Sequence, residues 1–191
     1  TFLVNNIGLI NFLEVLRTIK LQFLSKVIIF TSDKVYENKE LEKKLNEKDP
    51  LGGSDPYSAS KACQEIISNS YFNSYFKNSF EMITLRAGNI IGGGDWGKDR
   101  IIPDIIRSIF YTSRLFIRNP NHVRPWQHIL DVCGAIEIIL QKNLYKKDII
   151  NYNIGIMNGK NYSVRNILNY FENYFGKIKK INKIKSFSEK K

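Results

Sequence analysis

The sequence is poor in the residues that build disulfide frameworks and metal centres. Its two cysteines, Cys63 and Cys133, stand far apart and form no CxxC pair. We therefore expect no disulfide scaffold, and a reducing compartment, the cytoplasm, is the expected location. The two histidines, His122 and His128, have no cysteine or carboxylate grouped around them, and a pair so spaced predicts no zinc site. No metal is expected.

Long apolar runs are also absent. No stretch approaches the roughly 18 apolar residues that a membrane span needs, so no membrane partner is expected. Residues 1–16 are amphipathic and carry neither a basic leading segment nor a small-residue cleavage site, so they do not predict a signal peptide. The chain also begins without methionine, and we expect it to be a fragment.

Acidic residues are scarce relative to basic ones, and the net charge of the 191-residue chain is +11. A basic balance raises the possibility of nucleic acid or another anionic partner. Residues 176–191 hold seven lysines and one glutamate, which leaves an excess of only +5 elsewhere. That segment has a single aromatic residue, Phe187, whereas nucleic-acid surfaces interleave aromatic and basic side chains. We predict a solvated basic tail over 176–191 and no nucleic-acid partner.

The sequence has no glycine loop that could bind phosphate, although residues 92–98 match the sequence patterns of such loops. Residues 92–98, GGGDWGK, match both G-x-G-x-x-G and G-x-x-x-x-G-K, patterns that place phosphate on backbone amides. Asp99 stands where a phosphate loop needs Ser or Thr, and residues 116–118 supply no acid for a ribose. Asp95 and Trp96 would obstruct phosphate as well. The loop predicts neither an NTPase nor a dinucleotide-binding turn.

The sequence does contain a regular alternation of helical and strand patterns. Apolar β-branched runs predict strands at 26–31, 81–86 and 149–154, with a short one at 115–118. Helical spacing predicts helices at 1–20, 57–77, 103–111 and 163–174, and another that Asp131 would cap and that ends near 141. This alternation predicts an α/β fold with a doubly wound, mostly parallel sheet.

A candidate catalytic group follows the first predicted strand. Tyr57 and Lys61 lie four residues apart on a predicted helix and so share one face, where the ammonium favours the phenolate and makes the tyrosine a candidate general base. Ser32 leaves the carboxyl end of a strand, where open α/β sheets bind ligands, so its hydroxyl could bond the same substrate oxygen. Tyr-x-x-x-Lys alone predicts nothing, since about one match arises by chance here. The order of strand, Ser-Asp, loop and helix supplies the context.

In this order the sequence resembles the extended short-chain dehydrogenase/reductase family of NAD-dependent epimerases and dehydratases, and within it the CDP-glucose 4,6-dehydratases. The resemblance runs over roughly residues 1–170. The matching blocks are TFLVNNIG at 1–8, TSDKVYEN at 31–38, DPLGG at 49–53, DPYSASK at 55–61, RAGNIIGGGDW at 86–96 and RPWQH at 124–128.

The resemblance implies a Rossmann-type sheet that is incomplete here. Residues 1–90 would be the C-terminal half of the NAD-binding and catalytic domain. Residues 91–175 would be the nucleotide-sugar-binding region, interleaved with the last sheet elements. The N-terminal NAD-binding part would be missing, so we expect the isolated chain to be inactive. A homodimer is implied in the full-length enzyme, through helices near 1–17 and 57–77.

The resemblance also implies a reaction: dehydration of CDP-glucose to CDP-4-keto-6-deoxyglucose, with NAD as a recycled hydride carrier, feeding deoxysugar and polysaccharide biosynthesis. Tyr57 would take the proton of the sugar C4 hydroxyl, and Ser32 would orient that oxygen. Asp33 would protonate the departing C6 oxygen. Lys61 would contact the nicotinamide ribose, and Thr31 and Tyr57 would also contact the cofactor.

Lys34 departs from the pattern of the dTDP-glucose dehydratases, which have a glutamate there to remove the C5 proton. A lysine fits the CDP-sugar branch, and it is left open whether Lys34 is the C5 base. On the substrate side, Asn89 would contact the diphosphate, and the Arg124 guanidinium suits diphosphate oxygens. Arg118 and His128 are further candidate substrate-binding residues.

Three alternatives stay open. One is another enzyme of the same family, a dTDP- or GDP-sugar dehydratase or an epimerase, although an epimerase has no need of the elimination residues Asp33 and Lys34. Another is a non-catalytic module that binds a nucleotide sugar, against which the intact Tyr57 and Lys61 argue. The third is a nucleic-acid-binding module, which would show steeply salt-dependent binding to random oligonucleotides.

Overall fold

The computed structural model describes residues 1–20, 22–37, 44–111, 114–142, 148–155, 162–176, 178 and 181–183. These residues belong to two compact units. The first unit comprises Thr1–Gly88 and Asp131–Gly155, and the second comprises Asn89–Leu130 and Ile156–Lys191.

Helices and strands alternate along the chain, as the sequence pattern predicts. The helices are α1 (Gly8–Thr18), α2 (Pro56–Tyr71), α3 (Ile101–Phe110), α4 (Ile129–Gln141) and α5 (Val164–Phe175). The strands are β1 (Lys26–Phe30), β2 (Glu81–Ala87), β3 (Asn89–Ile91), β4 (Leu115–Ile117), β5 (Val123–Arg124), β6 (Trp126–His128), β7 (Ile149–Ile154), β8 (Tyr162–Ser163) and β9 (Ile181–Lys183). Short π-helical turns precede α1 at Leu3–Ile7 and follow α2 at Phe72–Phe76.

The first unit is built on a parallel sheet with strand order β1-β2-β7. Every residue of the central strand β2 is buried, because a parallel strand inside such a sheet is covered on both faces. The carboxyl end of β1 leads directly into the candidate catalytic segment.

Helix α1 covers one face of this sheet with an apolar stripe. Leu9, Leu13 and Leu16 repeat at helical spacing and are buried against β1 and the aromatic side chains that follow α2. The opposite stripe of the same helix is apolar too, yet it is exposed: Val15, for example, keeps 56% of its surface in solvent. Helix α1 and the turn before it therefore carry two apolar faces, only one of which is packed.

Lys26 joins the start of β1 to the end of α4. Its ammonium donates hydrogen bonds to the Leu140 carbonyl at 2.9 Å and to the Lys142 carbonyl at 2.6 Å, and it lies 3.6 Å from Glu81 Oε2. The last carbonyls of a helix have no partner within the helix, so this cation satisfies them and complements the helix dipole. The contact fixes where α4 ends relative to the sheet.

The second unit has its own core and three two-stranded pairs. Strands β3 and β6 pair in parallel, as do β4 and β9, whereas β5 and β8 are antiparallel. The core packs α3 and α5 around β4; its buried residues are Ile105, Leu115, Ile117, Leu168 and Ile178. Helix α5 begins with a capping box in which Ser163 Oγ and Asn166 Oδ1 each accept the other residue's backbone N–H, at the start that the sequence pattern predicts for this helix.

One predicted helix start is wrong. Helix α4 begins at Ile129, so Asp131 lies inside its first turn and does not cap it. The cap is supplied from the preceding strand, because the Leu130 N–H donates to His128 Nδ1 at 3.2 Å. Asp131 still lies where a carboxylate complements the helix dipole.

The predicted basic tail, 176–191, falls mostly outside the described residues. Of its described part, Ile178 is buried in the core of the second unit, and Ile181–Lys183 form β9. Over the part of the chain that the structure describes, no helix combines the length and apolarity needed to cross a membrane.

Candidate active site

The candidate site begins where β1 ends. The Thr31 N–H donates to the Leu85 carbonyl at 2.9 Å and so extends the pairing of β1 with β2 by one residue. Ser32 then turns the chain: its hydroxyl oxygen accepts the Lys34 N–H at 3.3 Å and caps a single 3-10 turn, Asp33–Val35. The same hydroxyl donates to Asp33 Oδ1 at 3.1 Å. The local sequence Thr-Ser-Asp-Lys thus folds into a compact strand-end turn with Ser32 buried at its base.

The first turn of α2 is fixed by a carboxylate cap. Asp55 Oδ1 accepts the backbone N–H groups of Tyr57 at 2.9 Å and Ser58 at 3.1 Å, and Oδ2 accepts the Ser58 hydroxyl at 2.5 Å. The hydrogen bonds from Ser58, and then that from Tyr57 and the charge of Lys34, hold the pKa of Asp55 below its usual value. Pro56 occupies the first helical position, where its missing N–H costs nothing. Tyr57 is thereby presented at the helix start with 43% of its surface exposed.

The strand-end turn and α2 meet at two contacts. The Lys34 ammonium lies 5.7 Å from the centre of the Tyr57 ring, within the range of a cation–π contact. The Lys61 ammonium donates to the carbonyl of Phe30, the last residue of β1, at 3.0 Å. The five predicted catalytic residues therefore lie on two segments of the first unit that the fold brings together.

Lys61 is half-buried in this junction. Burial lowers the pKa of its ammonium below the ordinary value for lysine, because a low-dielectric environment disfavours the charged form. An ammonium carries three N–H donors, and one of them is directed at Phe30. Lys61 can therefore hold both the strand end and a bound hydroxyl group.

Gly53 brings the preceding loop into contact with the backbone of α2. A Cβ atom at this position would lie 2.3 Å from the Ala59 nitrogen and 2.6 Å from the Ser58 carbonyl carbon. Both neighbours are helix backbone, so neither can rotate away as a side chain would. The loop can approach the helix start only because residue 53 has no side chain.

Sequence reasoning missed a buried ionic network behind the site. Arg86 of β2 donates to Glu65 of α2 through Nε at 3.0 Å and Nη2 at 2.9 Å, a bidentate pair. The Thr31 hydroxyl donates to Glu65 Oε1 at 2.6 Å, and the Thr84 hydroxyl lies 3.0 Å from Oε2. Glu65 follows Lys61 by four residues, so the i, i+4 spacing that predicts the catalytic pair could also have indicated it.

The network continues through a tyrosine. Arg86 Nη1 donates to the Tyr36 hydroxyl at 2.8 Å, and that hydroxyl donates to Asn153 Oδ1 at 2.5 Å. Burial raises the pKa of Tyr36 above its ordinary value, which keeps the phenol a donor. The network therefore spans β1, β2, β7 and α2.

The predicted substrate-binding residues all belong to the second unit. Asn89, in β3, donates its N–H to the Pro125 carbonyl at 3.1 Å. Arg124, in β5, places Nη2 3.0 Å from His122 Nδ1. His128 ends β6, the partner of β3. The structure thus groups Asn89, Arg124 and His128 around neighbouring strands, whereas Arg118 is exposed just beyond β4.

The glycine loop at 92–98 is organised by its own carboxylate. Asp95 accepts the Gly97 N–H at 3.0 Å and pairs with Arg100 at 3.0 Å. Arg107 donates to the Trp96 carbonyl and lies over the Trp96 ring. A backbone amide that a phosphate would need is bonded to Asp95, which agrees with the expectation that the loop is not a phosphate loop.

Comparison with known proteins identifies related chains. The sequence model of a family described as GDP-mannose 4,6 dehydratase matches residues 1–191. The chain is 39% identical over 148 residues to CDP-glucose 4,6-dehydratase of Salmonella typhimurium, covering 74% of this chain and 41% of that protein. It is 33% identical over 152 residues to dTDP-D-glucose 4,6-dehydratase of Dictyostelium discoideum, covering 73% and 33%. The chain thus spans about two-fifths or less of the length of these relatives.

Solved structures show the same architecture. dTDP-glucose 4,6-dehydratase from Bacillus anthracis, in complex with NAD, superposes with a TM-score of 0.77 at 24% identity, covering 96% of this chain and 56% of that one. UDP-glucuronic acid 4-epimerase from Bacillus cereus, in complex with UDP-glucuronic acid and NAD, gives 0.79 at 22% identity, covering 96% and 55%. These likenesses confirm the predicted α/β fold with a Rossmann-type parallel sheet.

Proposed function

The chain belongs to the GDP-mannose 4,6 dehydratase family, and on this basis we propose that the protein carrying it is an NAD-dependent nucleotide-sugar 4,6-dehydratase, a hydro-lyase, that acts on CDP-glucose. The observation that carries the proposal is the junction of the strand-end turn with α2, where Lys34 faces the Tyr57 ring and Lys61 bonds to Phe30. This junction holds a candidate base, its cationic neighbour and a candidate acid in one unit.

The donors at this junction fit NAD. Lys61 has N–H groups to offer besides the one bonded to Phe30, and the junction lies at the carboxyl edge of a parallel sheet, where such folds bind their ligands. Lys61, Tyr57 and Thr31 are the residues that would hold the cofactor. When bound, NAD would supply reversible hydride transfer at the sugar.

The side chains divide the proton transfers among them. Tyr57 takes the proton of the C4 hydroxyl as the general base, and the Lys61 ammonium lies one turn later on the same face of α2. The Ser32 hydroxyl orients the C4 oxygen. A ketone at C4 acidifies the C5 proton, so a modest base removes it. Asp33, bonded to Ser32, gives a proton to the departing C6 oxygen.

Two observations support CDP-glucose as the substrate. Lys34 occupies the position where the resemblance places a glutamate in dTDP-glucose dehydratases, and identity to the Salmonella CDP-glucose enzyme exceeds that to the Dictyostelium dTDP-glucose enzyme. Lys34 remains the candidate for the C5 base. Asn89, Arg118, Arg124 and His128 are the residues that we propose to bind the nucleotide sugar, with Arg124 directed at the diphosphate because a guanidinium pairs with its oxygens in bidentate fashion.

A homodimer through α1 and α2 is part of the proposal. The exposed stripe of α1 and its preceding turn includes Leu3, Val4, Phe12 and Val15, and Ile66 is exposed on α2. An apolar surface of this kind marks interaction sites on soluble proteins. A second copy would cover it with the same surface, as two-fold symmetry requires.

A cytoplasmic location completes the proposal. Cys63 and Cys133 are both free thiols, and Cys133 is exposed. A reducing compartment preserves exposed thiols, which supports this location.

The test uses the protein that carries this chain, expressed at its full length. CDP-glucose and dTDP-glucose are supplied separately, and the 4-keto product is followed by its absorbance in alkali. We expect turnover of CDP-glucose alone, and a loss of roughly 10²- to 10⁴-fold in Tyr57→Phe, the range for removing a general base. Tyr75→Phe, the same change at an exposed tyrosine beyond α2, should keep full activity.

Each other result has a definite meaning. Turnover of dTDP-glucose alone would show that the substrate carries dTDP and not CDP, while the proposed dehydration would still hold. Equal loss in Tyr57→Phe and Tyr75→Phe would remove Tyr57 from its proposed role. No 4-keto product from either sugar would reject the dehydratase.

A further inference from the structure

Glu65 is a charged residue with no assigned part in the reaction, although it lies close to the residues that have one. It follows Tyr57 by eight residues and Lys61 by four along α2, so the three side chains share one side of the helix. Glu65 keeps only 4% of its surface exposed, and its partner Arg86 keeps 2%. Burying an ion pair carries a desolvation penalty that often cancels its attraction. Stability alone is therefore a weak reason for this pair.

The Glu65 carboxylate joins three elements at one point. From α2 it accepts two N–H groups of Arg86 in β2 and the hydroxyl of Thr31 at the end of β1. The Thr31 hydrogen bond is the shortest of these, at 2.6 Å. Thr31 directly precedes Ser32, the first residue of the strand-end turn. The Glu65 carboxylate is therefore hydrogen-bonded to Thr31, the residue that directly precedes the strand-end turn.

A second bond acts in parallel one helical turn earlier. The Lys61 ammonium donates to Phe30, the residue before Thr31, at 3.0 Å. Two consecutive residues at the end of β1 are therefore tied to two consecutive turns of α2. These two hydrogen bonds lie one helical turn apart along α2. Together they fix the rotation of the helix about its axis as well as its distance from β1.

We propose that Glu65 is a positioning residue: through Thr31 it holds the turn that carries Ser32 and Asp33 in register with Tyr57 and Lys61. The inference rests on the proposed function, and it concerns the same site. Glu65 touches no reacting atom. It acts by keeping the Ser32 hydroxyl and the Tyr57 phenol within reach of one substrate oxygen, because proton transfer requires heavy-atom distances of about 2.6–3.2 Å.

The test removes the hydrogen bond between Thr31 and Glu65 and keeps the buried Glu65 carboxylate. Glu65→Gln would leave the Arg86 guanidinium buried without its counter-charge and could prevent folding. Thr31→Val keeps the shape and deletes only the hydroxyl. Thr84→Val is the matched control, because it deletes the hydroxyl that lies 3.0 Å from the other oxygen of the same carboxylate, in the middle of β2. Thr31→Ser restores the hydroxyl.

The measurements on the full-length protein are kcat and KM for CDP-glucose, the Kd for NAD, and the thermal midpoint. We expect Thr31→Val to lower kcat by roughly 10- to 100-fold, since small misplacements of reacting groups have effects of this size. The loss of kcat in Thr31→Val is measured at saturating NAD, because Thr31 is also a proposed contact of the cofactor, and it should persist there. The thermal midpoint should match that of Thr84→Val, whose kcat should stay close to that of wild type because Thr84 lies in the middle of β2, away from the strand-end turn. Thr31→Ser should recover most of the lost kcat.

Four results would overturn the proposal. A loss of activity in Thr31→Val that disappears at saturating NAD would make Thr31 a cofactor contact alone and not a link. If kcat and the thermal midpoint fell equally in Thr31→Val and Thr84→Val, the network around Glu65 would have only a structural role. Unchanged kcat in Thr31→Val, with an active wild type, would reject positioning while leaving the dehydratase in place. A wild type that turns over no nucleotide sugar would reject both.

Discussion

Asp55 illustrates how a single exposed side chain fixes the geometry of the candidate site. Its carboxylate holds the backbone of Tyr57 and Ser58 at the first turn of α2. We expect Asp55→Ala to lower the free energy of unfolding by about 1 kcal/mol, the usual effect of removing a helix cap. Asp55→Asn should keep most of the stabilisation that the cap provides, because an amide oxygen accepts the same N–H groups. Urea unfolding of the full-length protein measures both.

The same residue gives a pH dependence with a defined sign. The pKa of Asp55 is lower in the folded protein than its ordinary value, through its hydrogen bonds to Ser58 first. Its contribution is therefore complete above the ordinary aspartate pKa of about 3.9, and it is lost as the pH falls further, through the lowered folded-state value. The difference between wild type and Asp55→Ala should shrink over that acidic window. A difference that grows there would contradict the assignment.

Single residues also show how far the site could be predicted. Ser32, Tyr57 and Lys61 could be proposed from the sequence because their signals are local: a strand end, and two residues four apart on a helix. The Glu65–Arg86 pair was missed because its partners come from different elements, and the register of β1 with β2 decides that Thr31 and Thr84 also reach Glu65. Nothing in the sequence around Arg86 specifies that register.

At the scale of helices and strands, the contact between the start of β1 and the end of α4 can be tested through the stability of the protein. Lys26 is bonded to two terminal carbonyls of the helix and lies near Glu81. We expect Lys26→Met to lower the free energy of unfolding by roughly 2–4 kcal/mol, since it removes the cation that lies 3.6 Å from a buried carboxylate. Thermal or urea unfolding provides the measurement.

Lys20→Met is the control for that variant. Lys20 is exposed just after α1, and the same substitution there should change stability by no more than about 0.5 kcal/mol. If the two variants were equally stable, the contacts of Lys26 with α4 would contribute nothing to folding.

Most of the elements that sequence patterns predicted are long, although the three-residue strand β4 was predicted as well. Strands β1, β2 and β7 and helices α1, α2 and α5 carry enough residues for a period to be visible. Strands β3, β5 and β6 have two or three residues each and show no period, so they were not predicted. Asp131 was placed at the start of α4 because its type favours caps, but the imidazole of His128 takes that position.

At the scale of the whole molecule, the apolar stripe of α1 is a surface that the described residues of the first unit leave exposed. The apolar stripe of α1 and its preceding turn leaves 75% of Val4 and 56% of Val15 in solvent. We expect the full-length protein to be a dimer and the double variant Val4→Glu/Val15→Glu to be a monomer, because burying two carboxylates in an apolar interface is unfavourable. Sedimentation equilibrium distinguishes the two masses.

The control for the oligomeric state is Ile138→Glu. Ile138 is an equally exposed apolar residue of the first unit, on α4 and not on the α1 stripe. The dimer should persist in this variant. Dissociation by Ile138→Glu, or a dimer that survives the double change on α1, would assign the interface elsewhere.

Gly53 has a consequence for how proteins with this site diverge. The atoms that exclude a side chain there are backbone atoms of α2, so the exclusion does not depend on which sugar or nucleotide is used. A descendant could lose Tyr57, change its substrate or abandon catalysis and still need glycine at this position. A lineage that has replaced this glycine has rebuilt the start of the helix. Glycine at 53 is thus a requirement of the loop's fold, whereas the tyrosine and lysine that follow it are requirements of the proposed chemistry.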